Sequence, residues 1–120
     1  MSRILVVDVS PYFRARTRAL LESRAHEVLE AIDVRTAVQC VFREAPDAVV
    51  LDLIVPEQDG LDLLRELRRR GFVGPRIVVT ADRQPMTRHL ALAHGATALL
   101  PEPVDAETLL EHVEEGGVLV

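Results

Sequence analysis

Two apolar runs in this chain end in an aspartate: Ile4-Leu5-Val6-Val7 leads into Asp8, and Ala48-Val49-Val50-Leu51 leads into Asp52. As neighbouring parallel strands, they would bring both carboxylates to one end of a sheet, where open α/β folds place their binding crevice. A carboxylate held there can attack a phosphoryl group and form an aspartyl phosphate, provided that positive charge offsets donor and acceptor. Magnesium is the usual source of that charge. It takes oxygen ligands and keeps several waters, so Asp8, Asp52 and the backbone carbonyl of Ile54 could hold it. Each aspartate alone could simply cap a loop or start an Asx-turn; the pair at one rim favours chemistry. Thr80 closes a later apolar run and could offer its hydroxyl to the same crevice, while Glu102, between Pro101 and Pro103, follows another. Their plainer roles are a β-branched strand residue and a solvated loop carboxylate.

The elements that must position these groups alternate along the chain. Residues 3–8 give a first strand, then Ser10-Pro11 starts a helix with Ser as N-cap and Pro at its first position. Phe13, Thr17, Leu20 and Leu21 form its packing face. Residues 27–32 read as a second strand, and Asp33 caps a helix with the stripe Val34, Ala37, Val38, Val41 and Ala45, ended by Pro46. Residues 47–52 form the third strand. Pro56 to Gly60 reads as loop and turn, followed by a helix with Leu61, Leu63, Leu64 and Leu67 that ends at Gly71. Residues 76–80 are a fourth strand, Pro85 to Gly95 bound a fourth helix, and residues 98–100 are a short fifth strand. Asp105 caps a last helix running to about Glu115, with Val104 and Leu109 placed as a hydrophobic staple. The Val118–Val120 tail has no evident role.

Five strands alternating with five helices predict a doubly wound, five-stranded parallel sheet of the flavodoxin-like α/β class. Runs 4–7, 48–51 and 77–79 are apolar throughout, as central strands covered on both faces must be, whereas the second and fifth strands fit the edges. The order 2-1-3-4-5 follows, and it reverses direction between the strands carrying Asp8 and Asp52.

At 120 residues the chain suits one domain, 1–120, with no room for an effector domain. Its net charge of −5 argues against direct nucleic-acid binding and points to a protein partner. A single cysteine, Cys40, excludes an internal disulfide, and no apolar span is long enough for a membrane, so a soluble cytoplasmic protein is expected. Cys40 has no activating cation nearby except Arg43 and is read as unreactive. His26, His89, His94 and His112 lack metal-ligand spacing and read as surface helix residues. All fourteen basic residues are arginine, so no lysine ammonium can be borrowed from elsewhere in the chain.

Taken together, ILVVDVS at 4–10, LDLIVPEQDGLDLL at 51–64, IVVTA at 77–81 and HGATALLPEPV at 94–104 resemble the receiver domain of bacterial two-component response regulators. The resemblance covers essentially the whole chain and includes the chemotaxis regulator among its family. It implies that Asp52 is the phosphoacceptor, Asp8 one of the paired acids of a Mg2+ site, Ile54 its carbonyl ligand, and Thr80 the hydroxyl residue that follows the phosphoryl group. It also implies a cis Glu102-Pro103 peptide. The partners it implies are a histidine kinase or phosphotransfer protein, and a downstream protein meeting the last two helices and fifth strand.

Three positions depart from the family pattern. Val9 stands where the second acid belongs, Glu102 where a lysine belongs, and Leu99 where many members carry an aromatic switch residue. Two unit charges ~4 Å apart repel by about 1 kcal/mol in water and by about 4 at an effective dielectric near 20. Asp8, Asp52 and Glu102 converging without a cation should therefore resist ionising together, and Mg2+ binding should be weakened. Arg83, after the fourth strand, is the nearest sequence candidate to replace the lysine, although an exposed loop arginine is its plainer reading. Two functions follow: phosphorelay through Asp52, or a degenerate pseudo-receiver that serves as a phosphorylation-independent interaction module. A phosphohydrolase with an Asp nucleophile would need a second acid two residues on, and Ile54 cannot serve. The chain is therefore read as a signalling module and not as an enzyme.

Overall fold

In the computed structural model, residues 2–55 and 58–114 are described. β1 (Arg3–Val7), β2 (Glu27–Ala31), β3 (Ala48–Leu51), β6 (Arg76–Thr80) and β7 (Ala98–Pro101) form one parallel sheet in the order β2-β1-β3-β6-β7. Numbered by themselves, these strands run 2-1-3-4-5. The helices are α1 (Pro11–Glu22), α2 (Val34–Glu44), α3 (Gly60–Arg69), α4 (Pro85–Ala93) and α5 (Ala106–Glu114).

Alternation along the strands splits the core into two layers. Ile4, Val6, Val50, Ile77 and Val79 face one side, where Leu21 of α1 and Leu109, Leu110 and Val113 of α5 cover them. Leu5, Val7, Val49, Leu51 and Val78 face the other, under Ala37 of α2, Leu63, Leu64 and Leu67 of α3, and Ala91 of α4. Burying each of these leucines stabilises the fold by roughly 1.5–3 kcal/mol, and the central strands gain on both faces. The result is a stiff platform beneath the carboxyl ends of β1, β3 and β6.

The helix boundaries follow local chemistry. Ser10 accepts the Phe13 N–H at 3.3 Å with Pro11 in the first turn, and Asp33 accepts the Thr36 N–H at 2.8 Å. Asp105 accepts the Thr108 N–H at 3.0 Å, and Val104 and Leu109 share one core layer as a staple requires. Ala45, ahead of Pro46, adopts φ of +47° and so ends α2. Gly71 and Gly95 take φ of +79° and +112° beyond α3 and α4, where a side chain would be strained.

Two features differ from the sequence reading. Part of the expected loop before Gly60 is a short antiparallel pair, β4 (Ile54–Val55) with β5 (Gln58–Asp59), and α3 begins at Gly60 itself. Pro56, Glu57, Glu115 and the Val118–Val120 tail lie outside the described residues. His26 is not a surface helix residue. It lies buried ahead of β2, accepting the Ser2 N–H on Nδ1 at 3.0 Å with Nε2 2.8 Å from Glu114, and so ties β1 to the end of α5. Burial of the ring is tolerated there because both ring nitrogens find partners that offset its desolvation.

Gly60 also fixes the turn beyond Asp52. Its N–H donates to Leu53 O at 2.9 Å, and a Cβ there would lie 2.6 Å from Leu53 Cα. Gly60→Ala is expected to destabilise the protein by about 1–3 kcal/mol through overpacking, measured by urea unfolding; an unchanged midpoint would contradict this close approach.

Candidate functional site

Val7 of β1 pairs with Leu51 of β3, and the next residue on each strand is an acid. The Asp52 N–H donates to Val7 O at 3.0 Å, and the Asp8 N–H donates to Ala31 O at 3.1 Å. Both acids thus leave the sheet from adjacent strands, whose spacing is about 4.8 Å. Asp8 is 7% exposed, and its Oδ1 accepts the Ser10 N–H at 2.8 Å. Burial pushes the Asp8 carboxyl above its ordinary value; the Ser10 amide opposes the rise, Asp52 adds to it and Arg14 opposes it.

Glu102 reaches the same crevice from the loop after β7. Its N–H donates to Thr80 O at 3.0 Å, and its peptide bond to Pro103 is cis. Burial raises the Glu102 carboxyl, and Asp8 and Asp52 raise it further, while the Val104 amide and Arg16 act in the opposite direction. Three carboxylates therefore share one field. Thr80, 3% exposed at the end of β6, lies against Glu102 through that main-chain bond. Ile54 opens β4 two residues past Asp52. Val9, 44% exposed, adds only hydrocarbon to the rim.

The cations at this rim come from α1. Arg14 donates from Nη1 to Asp8 O at 2.9 Å and from Nε to Glu30 at 2.6 Å, and Arg16 is the cation that acts on Glu102. Arg83 takes a different place. With Asp82, Gln84, Pro85, Arg88, Leu99 and Pro101 it lines a groove of about 350 Å³ between the start of α4 and β7. Sequence reasoning missed Arg14 and Arg16, although one signal was available: a helix capped at Ser10 must fold its first turn back over Asp8. Cys40 is half-buried, and burial pushes its thiol up, in keeping with an unreactive role.

The donor set fits a hard cation. Two oxygen ligands that raise each other's cost of ionising gain from a divalent ion between them, and water can complete an octahedron. No group of three or more His, Cys, Asp or Glu arranged for a metal occurs among the described residues, so a further protein ligand would be of another kind, such as a main-chain carbonyl.

Residues 4–114 match the family described as the response regulator receiver domain. The chain belongs to this family. It is a receiver domain of two-component signalling. It is 35% identical to Protein PilH of Pseudomonas aeruginosa over 94% of this chain and 95% of that protein. It is 40% identical to the response regulator MprA of Mycolicibacterium vanbaalenii over 90% of this chain and 47% of MprA, so it spans about half of that relative's length. Among solved structures, a CheY-like receiver domain protein from Methanospirillum hungatei JF-1 superposes with a TM-score of 0.89 at 26% identity, covering 98% of this chain and 94% of the other.

Burial, with the repulsion added to it, predicts a pH signature in metal-free buffer. Asp8 and Glu102 both have raised folded pKa values, so their contribution to stability is present at acid pH and is lost as pH rises through those values. Glu102→Gln should then raise the melting temperature by about 2–5 °C at pH 7, with the gain shrinking toward about pH 4. Equal gains at both pH values, or a loss at pH 7, would exclude a Glu102 carboxyl raised by burial and by its acidic neighbours.

Proposed function

We propose that Asp52 accepts a phosphoryl group from a histidine kinase or phosphotransfer protein and that Mg2+, held by Asp8, Asp52 and the Ile54 carbonyl, assists the transfer. The observation behind this reading is the placement of Asp8 and Asp52 one residue past a paired rung of the parallel ladder. A carboxylate oxygen of Asp52 would attack phosphorus as the bond to the donor nitrogen breaks, and the leaving imidazole would keep that electron pair and take a proton. Bound Mg2+ would offset charge on the phosphoryl oxygens. With Val9 in place of a second acid, the ion would be held more weakly and more of its shell would be water. Val9 and Tyr12, both exposed in the segment that follows Asp8, would offer the donor an apolar landing surface. The downstream protein would meet α4, β7 and α5, where Arg83 and Arg88 rim the groove. This is signalling by shifting an equilibrium between two conformations, not turnover of a substrate.

Glu102 favours a second reading. A half-buried third acid adds to the cost of a dianionic group on Asp52, so the domain could serve as a phosphorylation-independent binding module. Acetyl phosphate with magnesium chloride, followed by intact mass, separates the two. One phosphate adduct that Asp52→Asn abolishes supports phosphorelay. No adduct on the wild type supports the binding module, which further requires that Asp52→Asn leave partner binding unchanged.

A further inference from the structure

Charge is divided unevenly along this chain. Residues 60–100 carry seven arginines against three acids, whereas the rest of the sequence carries seven arginines against sixteen. An acidic protein therefore holds one basic region, made of α3, β6, α4 and the turns that join them. Part of its charge is met locally: Arg65 pairs with Asp62, and Arg69 and Arg70 both pair with Glu66. Arg68 and Arg76 form no ion pair among the described residues and meet instead on main-chain carbonyls around Gly95. Arg68 donates from Nη1 to Ala93 O at 3.2 Å, and a Cβ on Gly95 would come 3.2 Å from its Nη2. Arg76 donates from Nε to Gly95 O at 2.6 Å, and from Nη1 to Phe72 O at 3.0 Å and Gly74 O at 2.7 Å. Arg65 brings a third guanidinium, its Nη1 3.3 Å from Nε2 of His94. His94 Nδ1 lies 2.7 Å from Leu90 O, so Nδ1 donates there and Nε2 accepts from Arg65.

Capping the carboxyl end of α4 explains where the Arg68 side chain lies. It does not answer the charge, because a carbonyl accepts a hydrogen bond without cancelling a cation. Burial, and then Arg68, push the Arg76 guanidinium below its ordinary value, while Arg65 and Arg68 stay exposed. We propose that Arg65 and Arg68 on α3, backed by Arg76 and the His94-Gly95 turn, form a surface that docks a short acidic segment of a partner protein. Guanidinium forks match carboxylates in shape as well as charge. Size selects the partner. The domain measures 33 × 31 × 29 Å, and charges are screened over about 8–10 Å at physiological salt. A short segment confined to this surface meets the local positive charge alone, whereas a nucleic-acid duplex or an anionic membrane would reach past it to the acid-rich remainder and be repelled. The surface also stands apart from the carboxylate crevice, since Arg76 opens β6 and Thr80 closes it at the other end. Docking there needs no phosphoryl group on Asp52.

Fluorescence anisotropy of a short fluorescein-labelled oligoglutamate peptide, with the protein in the absence of any phosphodonor, tests the surface. The wild type should bind the peptide saturably, and at least about fivefold more weakly at about 250 mM sodium chloride than at about 50 mM. Arg65→Glu combined with Arg68→Glu should weaken binding at least about tenfold. Arg65→Gln combined with Arg68→Gln, which keeps a donor for Ala93 O, should weaken it about threefold and guards against a loss of α3 in the doubly reversed variant. Arg35→Glu combined with Arg43→Glu makes the same change of net charge on α2 and should stay within about twofold of the wild type. No saturable binding by the wild type, or equal losses in the α2 and α3 charge reversals, overturns the proposal. Tighter binding of duplex DNA or of phosphatidylserine vesicles through Arg65 and Arg68 overturns it in favour of nucleic acid or membrane. Self-association in sedimentation that the α3 variants abolish overturns it in favour of a second copy of this chain.

Discussion

Two carboxylates leaving adjacent parallel strands one residue past the same rung must repel, and the rest of this rim is built around that repulsion. The ladder fixes their separation, because the Asp52 amide is bonded to Val7 and the Asp8 amide to Ala31. Neither main chain can retreat without breaking a sheet whose central strands are buried on both faces. The relief available is protonation, a bound cation, or positive charge from a neighbouring element. Burial, with the neighbouring acids added to it, pushes the Asp8 and Glu102 carboxyls upward, the direction of the first route, while Arg14 and Arg16 act in the opposite direction as the third would.

Much of this was legible in the residues. Continuous apolar runs, Ser10-Pro11, Asp33, Asp105, Gly71 and Gly95 each carry a local physical signal, and parallel-strand topology then forces Asp8 and Asp52 together. What was not legible depended on side-chain reach. Arg83 stands closest to Thr80 in sequence, yet its segment turns outward into the α4 groove. Arg14 and Arg16 stand further along the chain but are carried back to the rim by α1. His26 was misplaced for a related reason: a lone histidine has no periodicity, and its partners, Ser2 and Glu114, lie at opposite ends of the described chain.

Where the positive charge sits has a consequence for chemistry. A lysine on the β7 loop would be free to move toward phosphoryl oxygens as they arrive, and so would stabilise the transferred group more than the resting site. Arg14 is committed on both sides, to Asp8 O and to Glu30, and it acts on the resting carboxylates as much as on any product. A charge that favours ground and transition states equally does not lower the barrier between them. Arg16 acts on Glu102, the acid at the lysine position, and more weakly than burial and the other two acids do. The rim therefore keeps its carboxylates tolerable in the folded protein without gaining what a mobile ammonium would give. Phosphoryl transfer at Asp52 should for that reason lean on Mg2+ more heavily than in a receiver with a lysine on that loop. Glu102→Lys, which restores a mobile cation and removes the third acid together, acts on both terms at once.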